Sequence, residues 1–165
     1  MTLRQLAVIL MPYDIVASVR EDPVLPPLHT PTEQLMLGLD VSDPIKVHAA
    51  LLHGLPFSAV KKFEKATQMP RGEVAKLISM APRTLARRQD EKRLQADESD
   101  RLYRMATLFR KAIALFHGDD EAAMRWLRAP RPALGGESPL QLAKTDIGVR
   151  QVETLIEQIR HGVYV

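Results

Sequence analysis

The 165-residue sequence contains no cysteine, which excludes a disulfide framework, thiolate metal ligands and a cysteine nucleophile. Aromatic residues make up only 5% of the chain. The apolar run at residues 6–11 is far shorter than the roughly 20 residues that cross a bilayer, and it lacks the flanks of a signal peptide. Apolar residues nevertheless amount to 45%, enough for a buried core. We therefore expect a cytoplasmic protein that makes no contact with a membrane.

The net charge of +3 is distributed unevenly along the chain. Residues 55–93 contain 10 basic and 4 acidic side chains, a net charge of +6. Residues 1–54 are acidic, with 3 basic and 6 acidic side chains, and residues 94–165 are balanced, with 10 of each. A compact basic segment favours a surface that faces a polyanion. On charge alone, an ordinary hydrated basic face is an equally good interpretation.

No segment alternates with a period of two residues, whereas helix signals recur from residue 43 onward. Asp43 before Pro44 predicts a helix start, and Gly54 predicts its end. Asp119 and Ser138 predict two further starts, and residues 98–116 carry one continuous apolar stripe. Four prolines between residues 23 and 31 exclude a helix interior there. The sequence predicts an all-α fold preceded by an irregular arm over residues 1–30, with a short helix ending near Gly38.

A helix-turn-helix is predicted within residues 71–93. A short helix over residues 72–79, a break at residues 80–81 and a basic helix over residues 82–91 have the required order. The turn lacks the usual glycine, and Ala81 stands where a serine or threonine cap is expected. Leu85 would face inward. The residues predicted to reach a DNA groove are Arg83, Thr84, Arg87 and Arg88, and those predicted to lie along phosphates are Lys76, Lys92 and Arg93. A helical hairpin with an ordinary hydrated surface is the alternative.

Patterns typical of catalysis are weak. There is no glycine-rich phosphate loop, and the five-residue spacing of His48 and His53 does not place both on one helix face. Ser58 and Lys61 have the Ser-x-x-Lys form of some acyl enzymes, but the companion motifs are missing. We expect no catalytic residue, no metal and no cofactor.

The C-terminal region combines a proline- and glycine-rich loop over residues 129–137 with a short apolar tail after Arg160. The loop is exposed and rigid enough for a partner site, although its glycine pair also suits a simple turn. The tail could fray, fold back on the core or insert into a partner. Composition alone does not choose between these three.

Residues 96–165 resemble the toxin-binding domain of the Xre/MbcA/ParS-type antitoxins. The resemblance depends on Trp126-Leu127, on the Leu-Gly-Gly-Glu-Ser-Pro-Leu run at residues 134–140, and on the Arg-His-Gly-Val-Tyr run at residues 160–164. Residues 98–102 carry a further part of it. The basic segment before them looks like the helix-turn-helix half of the same family, although Ala81 replaces the family's usual serine. The likeness covers about residues 40–165.

The resemblance implies a type II antitoxin with a helix-turn-helix domain over residues 31–94 and a toxin-binding domain over residues 95–165. Its partners would be a RES-domain toxin that degrades NAD, operator DNA and a second copy of the chain. The implied toxin contacts are Gly135, Gly136 and Glu137 in the loop and Arg160, His161, Gly162, Val163, Tyr164 and Val165 in the tail. A free-standing dimeric transcriptional regulator is the alternative function.

Overall fold

The computed structural model describes residues 36–162. The predicted arm over residues 1–30 and the tail residues Val163, Tyr164 and Val165 lie outside them. Of the short helix predicted to end near Gly38, only Met36 and Leu37 are described, and both are helical and buried. The helices are α1 Pro44–His53, α2 Ser58–Thr67, α3 Arg71–Leu77, α4 Pro82–Glu91, α5 Ala96–Leu115, α6 Asp120–Arg128, α7 Pro139–Leu142 and α8 Asp146–Arg160.

The all-α prediction is confirmed. Across the part of the chain that the structure describes, the backbone pairing outside helices and turns is an isolated antiparallel bridge between Pro56 and Arg93. None of the described helices is both long enough and apolar enough to cross a membrane.

Local capping chemistry determines several helix starts. The Asp43 carboxylate accepts from the backbone N–H groups of Ile45 and Lys46, as predicted. Asp119 accepts from the N–H of Ala122. Ser138 and Gln141 form a capping box at α7, where Ser138 predicts a helix start. These bonds satisfy donors that a helix N-terminus would otherwise leave unpaired.

The bounds of two helices differ from the sequence prediction. Helix α3 runs from Arg71 to Leu77 rather than over residues 72–79. It ends earlier because Ile78 is its C-cap and Ser79 has a left-handed backbone conformation. Helix α5 begins at Ala96, two residues earlier than predicted, because Gln95 and Glu98 form a reciprocal capping box. The apolar pattern locates the buried stripes of these helices but not their cap bonds.

One buried core joins the two halves of the molecule, and α5 is its central element. Helix α5 packs against α1 on one side and against α6 and α8 on others. Phe63 of α2 meets Phe109 of α5 edge to face, with ring centroids 5.3 Å apart. Trp126 of α6 packs near Phe116, with centroids 6.4 Å apart. Both halves therefore fold onto the same long helix.

Candidate functional site

The turn between α3 and α4 explains how a helix-turn-helix forms without glycine. Ser79 adopts the left-handed conformation, with φ of 52°, which glycine normally supplies. The N–H of Met80 donates to the Ala75 carbonyl (2.8 Å), and Arg101 of α5 donates to the Ile78 carbonyl (2.8 Å). The four-residue turn is therefore stabilised by hydrogen bonds to α3, which precedes it, and to α5.

Five of the seven predicted DNA contacts are exposed. Four of them have exposed side chains on α3, on α4 or at the residue that ends α4, and we call these the basic surface: Lys76, Arg83, Arg87 and Lys92. Arg87 lies 3.7 Å from Glu91, and both side chains are exposed. Thr84 is half-buried, and Leu85 is buried as predicted. These cations have the exposure that phosphate contact requires.

Arg88 is not on the exposed strip, and this corrects the prediction. Its side chain is only 6% exposed, and its Nε donates to both carboxylate oxygens of Glu98, at 2.7 and 3.0 Å. A further N–H group bonds Glu91. The hydrogen bonds that Arg88 donates to Glu98, and then to Glu91, raise the pKa of its guanidinium. The guanidinium therefore joins α4 to the start of α5 and is not available to a DNA groove.

Arg93 is exposed, but its guanidinium is already engaged. Its Nη1 donates to the carbonyls of His53 (3.0 Å) and Gly54 (3.2 Å) at the end of α1. A cation stabilises the carbonyl end of a helix. This contact gives Arg93 a structural role, and its part in phosphate binding stays a prediction.

The predicted loop contacts lie in a turn that the buried Arg131 organises. The Arg131 carbonyl accepts from the N–H of Gly136 (2.9 Å), and its own N–H donates to the Glu137 carbonyl (3.0 Å). Its side chain donates to the Trp126 carbonyl (3.1 Å), with the guanidinium 5.2 Å from the Trp126 ring centroid. The buried cation thus fixes the exposed loop to the core.

Gly135 and Gly136 occupy this loop with φ values of 68° and 85°. A Cβ atom at either position would meet no atom within 4 Å. The two glycines are therefore required by the backbone conformation and not by crowding inside the molecule. Glu137 follows them and is exposed, so the loop presents backbone and one carboxylate to solvent.

The described part of the predicted tail contact continues from α8. Arg160 is paired with Glu157, at 2.9 Å, and the ring of His161 lies 3.8 Å from the same carboxylate. His161 and Gly162 are exposed. The loop and these described residues of the tail both border α8.

Three residues that shape these surfaces were not predicted from the sequence. Glu98 belongs to a family motif, and that motif does not indicate its pairing with Arg88. Arg131 stands between two prolines shortly before the glycine pair. An arginine in that position of a loop was the available signal that a side chain joins the loop to the core. Ile147 is apolar but lies outside the core spacing of α8, and it is 72% exposed. That departure from the apolar stripe is readable from sequence.

These features define a helix-turn-helix protein with an appended helical interaction domain. Residues 46–107 match the family model of the antitoxin Xre-like helix-turn-helix domain. Residues 111–162 match the model of the antitoxin Xre/MbcA/ParS C-terminal toxin-binding domain. Both matched ranges include parts of α5, so the predicted division at residues 94–95 stays a prediction.

The chain belongs to the Xre-type antitoxin family. It is 30% identical over 128 residues to antitoxin Xre of Photorhabdus laumondii, covering 77% of this chain and 86% of that protein. It is 31% identical over 124 residues to antitoxin Xre of Pseudomonas putida, covering 74% and 76%. Antitoxin Xre of Yersinia enterocolitica is 28% identical over 129 residues, covering 78% and 87%. Each of these relatives is an antitoxin Xre, and the membership defines a type II antitoxin with a helix-turn-helix DNA-binding domain and a toxin-binding domain.

Proposed function

We propose that this antitoxin neutralises a RES-domain toxin that degrades NAD, and that it does so by occluding the toxin's active site. The observation that carries the proposal is the exposed, internally bonded loop around Gly135 and Gly136, inside the range that matches a toxin-binding domain. A loop already fixed by Arg131 loses little conformational entropy on binding. The antitoxin itself has no catalytic role and needs no cofactor.

The tail supplies the second contact. Helix α8 is bonded through to its last turn, where the N–H of Gly162 donates to the Ile159 carbonyl (3.1 Å). His161 and Gly162 are exposed there, and the chain continues into Val163, Tyr164 and Val165. An aromatic and two valines on a short tail suit an apolar cleft. We assign the tail to the toxin's catalytic cleft and the loop to its rim.

The helix-turn-helix half gives the antitoxin its second activity, repression of its own operon. Arg83 and Arg87 of the basic surface stand on α4, the helix that enters the major groove in this motif. Dimerisation would pair two such helices on adjacent half-sites. Toxin, operator and antitoxin would all meet in the cytoplasm.

The test is co-expression with the cognate RES-domain toxin, which the proposal expects to be encoded in a neighbouring open reading frame. Cells that express the full chain should survive, and cells that express a chain ending at Arg160 should lose protection, since His161 and the tail would be removed. Circular dichroism of the shortened chain controls for folding. Full protection by the shortened chain would exclude the tail from the mechanism. No protection by the full chain would favour a free-standing dimeric regulator.

A further inference from the structure

A groove runs along α8 beside the glycine loop, and its most exposed apolar side chain is Ile147. Ala133, Leu134 and Gly135 form one wall. Ile147, Gln151, Thr154 and Gln158 form the other wall, on one face of α8 because their spacing is i, i+4, i+7 and i+11. Leu134 is half-buried and Leu155 is buried, which gives the groove an apolar floor.

The polar groups at the mouth of the groove carry little free charge. Asp146 lies 2.8 Å from Arg104 and 2.8 Å from Arg150. Arg104 also lies 3.1 Å from Asp100, so two carboxylates balance the two guanidinium groups near Ile147. The remaining rim consists of the neutral Gln151, Thr154 and Gln158. An exposed isoleucine within a neutral polar rim is the pattern of a protein-binding anchor.

The groove also connects the two predicted toxin contacts. It begins at the loop residue Gly135, and its α8 wall extends to Gln158. From that end of α8 the chain continues into His161 and Gly162, where the tail begins. A partner that contacts both the loop and the tail would therefore cover the groove between them.

We infer that this groove binds the cognate toxin, with an apolar side chain of the toxin packed against Ile147. The inference rests on the proposed toxin binding and deepens it by naming a third contact element. The occupant is a toxin surface that is apolar at its centre and neutral at its edge. Its location within the matched toxin-binding range and its continuity with loop and tail favour the toxin over a second copy of this chain.

The chain offers a matched control. Ile147 and Ile45 are each the second residue of a helix, α8 and α1, and both are highly exposed, at 72% and 80%. A glutamate in the first turn of a helix interacts favourably with the helix dipole, so I147E and I45E should both fold. The binding partner for titration is a catalytically inactive variant of the RES-domain toxin, followed by calorimetry.

We expect I147E to weaken toxin binding roughly tenfold or more, and I45E to change it by less than about twofold. T154R in the middle of the groove should have the same effect as I147E, and it decides the question if I147E does not fold. If the wild type, I147E and T154R bind the toxin with equal affinity, the groove is not a toxin contact, and the proposed function is unaffected. No binding by the wild type overturns the proposed function as well. A change in the antitoxin's own oligomeric state, with toxin affinity unchanged, would assign the groove to a second copy.

Discussion

The helix-turn-helix half exposes charged side chains on rigid helices, whereas the C-terminal half exposes a loop whose shape depends on residues beneath it. Arg83 and Arg87 project from α4 and contribute little to its packing. The loop around Gly136 presents mainly backbone, and Arg131 below it is buried and bonded. We therefore expect DNA affinity to fall gradually as cations of the basic surface are removed one by one. The loop should fail when one supporting residue or one backbone angle changes.

The buried pair between Arg88 and Glu98 belongs to neither surface but positions one of them. It joins α4 to the start of α5, so the position of the basic surface depends on a buried carboxylate. The two halves are also joined directly, since Arg128 of α6 lies 3.1 Å from Glu73 of α3. In both halves, therefore, the residues that we propose for recognition differ from the residues that support them.

The largest expected effect is that of Glu98→Ala, which leaves the Arg88 guanidinium buried without its main partner and removes half of the capping box at α5. Breaking a buried ion pair is strongly destabilising, and Tm should fall on the order of 10 °C. Thermal unfolding followed by circular dichroism measures this change.

Asp97→Ala is the matched control, because Asp97 is the exposed neighbour and its ion pair with Arg101 (3.0 Å) lies at the surface. That variant should change Tm by no more than a few degrees. Equal shifts for the two variants would mean that the buried pair does not hold α4 in place.

An intermediate effect is expected for Gly136→Ala, which tests whether the loop depends on the backbone conformation of its glycines. Gly136 and Gly118 share positive φ values, 85° and 92°, and open surroundings. Alanine at either position should cost about 1 kcal/mol of stability. Denaturant unfolding should therefore give similar losses for G136A and G118A.

Toxin binding separates these two glycine variants. Only G136A distorts the loop and adds a methyl group on its exposed side, so only G136A should weaken the complex, by roughly tenfold. Comparable weakening by G118A, which lies between α5 and α6, would show that the loop is not the contact.

The smallest effect on the fold is expected for the double variant R83A/R87A. Its free energy of unfolding should stay within about 0.5 kcal/mol of the wild type, because both side chains are exposed. Operator binding should weaken, and the slope of log K against log salt should fall by roughly 0.9 for each phosphate that the variant no longer neutralises. Arg125→Ala, an exposed arginine on α6, is the control. A slope unchanged by R83A/R87A would place the DNA-binding surface elsewhere.

Local chemistry made most helices predictable from sequence. Asp43, Asp119 and Ser138 cap the helices that follow them because a short polar side chain satisfies nearby N–H groups, and no distant residue is needed. The apolar spacing of α8 likewise located its buried face. Patterns within one helix therefore gave the fold class and the order of the elements.

Contacts between helices were not predictable in the same way. Arg88 follows Leu85 by three residues, which already allows an inward position, but only Glu98 on the next helix makes burial of an arginine favourable. The role of Arg131 similarly depends on Trp126 and on the return of the chain at Glu137. Such residues acquire their roles from partners that a single-helix pattern does not contain.

The most direct measurement of the central claim is the rate of NAD loss catalysed by the purified RES-domain toxin in the presence of this antitoxin. The full chain and R83A/R87A should both stop NAD loss at stoichiometric amounts, whereas a chain ending at Arg160 should not. NAD loss that continues unchanged with the full chain present would contradict the account.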